Sequence, residues 1–203
     1  ALGSEKFIPG SGDGGERGLL HATERSVGEA AREINEWGGI ACAAHPLEHI
    51  PYVERLFLGR GPWGREDLET TGVTAIQIHN GVRDSGFRKG MAEWIGLLLA
   101  GRRVSAFGGN YSHGDMNRRR SIGIPLLNVR ESPDHGRGRV RTAVRARSGA
   151  WRDILEGLAG GHAIVTEGPF MDLRLRSGGI EAVPGDECPC GLATVSVMCA
   201  STP

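Results

Sequence analysis

The sequence predicts an α/β fold of parallel strands covered by helices, and three observations carry that prediction. Short apolar runs alternate with segments of helical periodicity. Gly or Pro bounds most of the runs. Polar residues, histidines above all, stand where several of the runs end. In folds of this class ligand sites gather at the carboxyl ends of the strands, so those polar residues are the first place to look for chemistry.

Taken in order, Val27, Ala30, Ala31, Ile34 and Trp37 recur at helical spacing, and Gly38-Gly39 stops that helix before a strand over 40–44. A loop with Gly and Pro runs on to Gly72, with a short helix expected over 53–58. A strand follows over 73–78. The strongest helix comes next, with Met91, Trp94, Ile95, Leu98 and Leu99 on its apolar face, and Gly101-Arg102-Arg103 leads into a strand over 104–107. Beyond Arg118 the texture changes to basic stretches, 118–120 and 137–147, which read as solvated surface because no aromatic residues are interleaved for base stacking. Ile154, Leu155, Leu158 and Ala159 predict a short helix ended by Gly160-Gly161. Strands over 163–166, 170–175 and 192–199 read as an antiparallel extension.

Lys+Arg and Asp+Glu balance at 24 each in 203 residues, so the global charge favours neither nucleic acid nor a membrane surface as partner. No apolar run is long enough to cross a bilayer, and nothing resembles a signal peptide. Four cysteines, Cys42, Cys188, Cys190 and Cys199, are too few for a disulfide scaffold, and Cys188-Pro189-Cys190 lacks the two-residue spacer of a zinc knuckle. The chain has no initiator Met, and both ends read as strand ends, so a fragment of a longer protein is expected.

Two histidine loops carry the functional signal. The segment Gly38-Gly39-Ile40-Ala41 through Ala44-His45-Pro46 ends a strand in a histidine, as does Gly108-Gly109-Asn110-Tyr111-Ser112-His113-Gly114-Asp115. A histidine before Pro and another before Gly, each at a strand end, suit ligands better than core residues. Both loops resemble motifs of the PHP (polymerase and histidinol phosphatase) superfamily of metal-dependent hydrolases, in its CehA/McbA-like branch. The segments 138–142 and 161–169 are similar to two C-terminal signatures of that branch.

The resemblance implies a distorted (β/α) barrel of PHP type, here incomplete, over residues 1–169, with the antiparallel extension over 170–203. It implies a cluster of divalent metal ions, zinc, manganese or iron, with His45 and His113 as ligands. Glu5, in Gly3-Ser4-Glu5, matches the family's bridging carboxylate less closely, and His21 a further ligand histidine. Arg118, Arg119 and Arg141 are the candidates to hold an anionic or ester substrate, since guanidinium forks match phosphate geometry. His79 falls where the family carries a non-ligand residue, and a hydrogen bond to a loop is expected there. His49, His135 and His162 read as surface or structural.

The chain departs from the family twice: no His-x-His pair is present, and Tyr111 replaces the second-loop Asp, a poor exchange at a divalent metal. Two readings follow. One is a hydrolase of phosphoester or related ester bonds that uses metal-activated water. The other is a degenerate domain that binds a ligand or partner without turnover.

Overall fold

A computed structural model of the chain describes residues 1–6, 26–47, 63–110, 121–124, 127–130, 138–189 and 191–201. Helix α1 (Val27–Glu36) starts in a capping box, in which Ser26 accepts from the Glu29 backbone N–H and the Glu29 carboxylate accepts from the Ser26 N–H. Its Ala31 and Ile34 are buried, as the spacing predicted, and the chain turns into β1 (Cys42–Ala43) through Gly38 at φ 72°. The Leu2 backbone bridges Ile40 antiparallel just before β1.

Helix α2 (Arg65–Glu69) is a single turn and a half that the sequence did not announce, because five residues are too short to display periodicity. It matters nonetheless. Leu68 is among the most deeply buried side chains, so its truncation to Ala would cost about 2–5 kcal/mol. Arg102 donates to the carbonyls of Leu68 and Thr70 and so caps the helix end.

Strands β2 (Ala75–Asn80) and β3 (Ser105–Gly109) complete a parallel sheet of order β1-β2-β3, the arrangement expected of the first three strands. Between them runs α3 (Ser85–Leu99), capped by Asp84. Its inward face differs from the expected one. Gly86, Gly90 and Leu97 are buried and Met91 and Trp94 pack on the core, whereas Ile95, Leu98 and Leu99 point out. On this face Gly90 lies against the Ile78 backbone, and Trp94 donates its indole N–H to Val104 O at 2.8 Å.

The expected barrel is not what forms. The described residues build two three-stranded and two two-stranded sheets, none of them closed. Closure needs continuous hydrogen-bonded pairing around a consistent stagger. Here β1 has two residues, and the outer edge of β3 is met by side chains rather than by another strand's ladder. The antiparallel pair of β6 (Arg141–Val144) and β7 (Ala163–Thr166) docks there. Thr142 Oγ1 accepts from the Gly108 N–H and donates to the Gly108 carbonyl, while the Asn110 amide donates to Val140 O and accepts from Val140 N–H. These two side chains stand in for ladder bonds and halt the sheet. The fold is therefore a mixed α/β domain of small sheets.

Between β3 and β6 lies a separate antiparallel pair, β4 (Ser121–Ile124) and β5 (Leu127–Arg130). Helix α4 (Trp151–Ala159), predicted from its periodicity, joins β6 to β7 and packs Leu155 and Leu158 against Ile40, Ala75 and Phe107. Finally β8 (Phe170–Ser177), β9 (Ile180–Ala182) and β10 (Ala193–Ala200) form an antiparallel sheet of order β10-β8-β9.

Candidate functional site

Gly161 approaches Ser105 and Gly108 approaches Val165, so β7 runs in the same direction as β3. Four strands thus deliver their carboxyl ends to one rim: His45 after β1, His79 and Asn80 ending β2, Asn110 after β3, and Glu167 after β7.

Two backbone irregularities mark this rim. His45 has φ 34°, the only non-glycine residue with positive φ among the described residues, a conformation that surrounding structure must impose. The second lies in β2. Gln77 pairs with Phe107 but His79 with Gly108, so one extra residue is inserted in β2 immediately before His79. Bulges are rare between parallel strands and re-aim side chains where they occur.

The re-aimed His79 is buried at 4% exposure and its Nε2 lies 2.7 Å from Glu167 Oε1. Arg83 Nε donates to the same oxygen at 3.0 Å. The hydrogen bond from His79 holds the Glu167 carboxyl below the ordinary carboxylate range; Arg83 adds to this and partial burial opposes it. Glu167 is thus an anion near neutrality and accepts, which places the proton of a neutral His79 ring on Nε2. The other nitrogen, Nδ1, is buried with no partner among the described residues. Phe87 covers the ring at 4.7 Å between centroids. A histidine whose one nitrogen is fixed by a carboxylate and whose other is unpartnered has the arrangement found in metal-ligating and general-base histidines.

The sequence expectations fare unequally. His45 and His79 share the rim, and the bond of His79 goes to a loop residue, as read. Arg141 lies in β6 opposite Thr166, one residue from Glu167, exposed and donating to Gly138 O. Glu5 does not join them. The antiparallel Leu2–Ile40 bridge carries residues 4–6 towards the start of β1, Ser4 N lies by Gly39, and Lys6 Nζ stands 5.3 Å from the Trp37 ring. That is the opposite end of the sheet from His45. His21, His113, Tyr111, Arg118 and Arg119 fall outside the described residues, as do His49, His135 and the helix expected over 53–58. His162 pairs with Asp186 at 3.0 Å, a structural role. Among the described residues no group of three or more His, Cys, Asp or Glu side chains converges as a metal site.

Sequence reasoning missed Arg83 and Glu167 as site residues. The signal available was weak: a carboxylate directly after a predicted strand, in one of the C-terminal signatures. Compared with protein-family models, with curated proteins and with solved structures, the chain matches none.

Proposed function

We propose that the rim is a metal-assisted hydrolytic site for phosphoester or related ester bonds. The observation that carries this reading is the His79–Glu167 pair, buried and bulge-directed, at the same strand ends as the strained His45. The donor chemistry suits a divalent ion such as zinc, manganese or iron: imidazole nitrogens are good ligands for all three. His45 is the first ligand proposed, the unpartnered Nδ1 of His79 is a second nitrogen of the right kind, and His113 and His21 remain the further ligands that the PHP resemblance implies. Bound there, such an ion supplies a water of lowered pKa and neutralises charge on substrate oxygens.

The chain's own residues do the rest. Glu167 keeps the His79 proton on Nε2, which leaves Nδ1 able to accept. Arg83, with two thirds of its side chain exposed, and Arg141 present guanidinium N–H groups on the solvent side for an anionic substrate. The test is hydrolysis of an aryl phosphate with added manganese or zinc. The parent turns over slowly, and His45→Ala and His79→Ala each lose that turnover. Activity unchanged in both variants sinks the assignment.

Two observations favour the second reading, binding without turnover. Glu5, expected as a bridging carboxylate, lies at the far end of the sheet, and Tyr111 stands where the family resemblance expects Asp. Metal and phosphate binding without any turnover in the same assay supports that reading instead.

A further inference from the structure

The β6–β7 pair has a second end, away from the rim, and a cleft opens there. It has a volume of about 150 Å³ and lies between that pair and the start of β8. Ala143, Ala163, Ile164, Leu173 and Val183 give it an apolar interior. It is a cleft open to solvent on one side, and its volume is of the order that takes a ring the size of benzene. Phe170 and Met171, 53% and 42% exposed, continue the apolar surface at its lip.

The charged lining is asymmetric. Asp172 is nearly covered and both its oxygens are occupied, Oδ1 by Arg145 Nη2 at 2.8 Å and Oδ2 by Arg174 Nε at 2.9 Å. Arg145 is half exposed and makes that one bond among the described residues, so further guanidinium N–H groups face solvent. His162, the other ionisable group in the wall, has its Nε2 on Asp186. What the mouth offers an incoming ligand is therefore a cation beside an apolar hole.

We infer that this cleft binds a small aromatic monocarboxylate of about benzoate size, its ring between β7 and β8 and its carboxylate on Arg145. The geometry favours carboxylate over a bulkier dianion because Asp172 stays beside the same guanidinium. The site is distinct from the rim: Arg145, His162 and Ala163 lie at the amino end of β7, whereas Glu167 follows its carboxyl end.

The test is fluorine NMR on the full chain with 4-fluorobenzoate, 4-fluorophenylphosphonate and fluorobenzene as probes. The expected result is saturable binding of 4-fluorobenzoate with Kd on the order of 1 mM, within reach of so small a ligand. Arg145→Gln weakens 4-fluorobenzoate by roughly fivefold or more, as loss of a charge-assisted bond should, while fluorobenzene is unaffected. Ala163→Leu, which fills the hole, abolishes binding of both. Because that substitution could unfold the β6–β7 pair, methyl shifts of Leu173, Val183 and Ile164 in the parent give a readout without mutation; 4-fluorobenzoate should move those three first. No saturation at tens of millimolar, shifts centred elsewhere, or phosphonate bound more tightly than carboxylate would each overturn the inference.

Discussion

The imidazole of His79 and the carboxylate of Glu167, 88 positions apart in the chain, meet at 2.7 Å. The contact ties the end of the parallel sheet to the loop after β7, and Arg83 completes it from the loop before α3. Its geometry sets both the proton position on His79 and the attachment of the β6–β7 pair.

Stability should therefore depend on pH through Glu167. Its folded pKa is depressed below the usual 4.5, so its contribution is complete above that value and disappears as pH falls through the lower folded pKa. Glu167→Gln should cost about 1.5–3 kcal/mol at pH 7, the range for hydrogen bonds to charged groups. Urea melts at pH 7 and at acid pH should show the gap between parent and variant closing as pH falls. A gap of constant size would mean that the carboxylate charge is not what matters.

Gly108 is required where the β6–β7 pair meets β3. A Cβ there would collide with Val165 Cγ1 and stand 2.8 Å from Val140 Cγ1. Gly108→Ala should destabilise by about 1–3 kcal/mol through overpacking, and adding Val165→Ala should restore part of it. Thermal melts of the single and double variants measure this. A single variant as stable as the parent would show that the β6–β7 pair does not dock in this way.

Burial pushes the Cys42 thiol up to about 11, whereas Cys199 is exposed on β10. The thiolate is the reactive form, so iodoacetamide at pH 8 should label Cys199 well before Cys42, with Cys42 reacting on unfolding. Peptide mass mapping over time reads the order. Equal rates in the native protein contradict the packing of β1 against β2.

What could be read from the sequence was whatever left a local trace. The strands over 40–44, 73–78, 104–107 and 163–166 announced themselves by apolar runs, and α1 and α4 by spacing that matches their buried faces. The inward face of α3 was read in part: Met91 and Trp94 pack on the core as expected, whereas Gly86 and Gly90 are buried without carrying a hydrophobic signal and Ile95, Leu98 and Leu99 carry much and stay outside. The expected barrel failed for a similar reason. What stops β3 from acquiring a ladder neighbour is Thr142 and Asn110, two side chains whose role appears only once the strands are in place. At the rim, the place of His45 just after a strand was legible in the sequence. Glu167 was not, since its partner lies 88 positions away, and Glu5 was placed by the likeness of Gly3-Ser4-Glu5 to a motif although its backbone bridge takes it to the other end.

The most direct test of the central claim is metal content. The proposed site would hold a divalent ion at the rim through His45 and His79, with Glu5 away from it. Titration with manganese or zinc, checked by elemental analysis, should give binding that His45→Ala weakens by about tenfold or more, with a comparable loss in His79→Ala, as expected when a ligand or its support is removed. Glu5→Ala should bind like the parent. Metal binding lost in Glu5→Ala but kept in His45→Ala and His79→Ala would contradict the account.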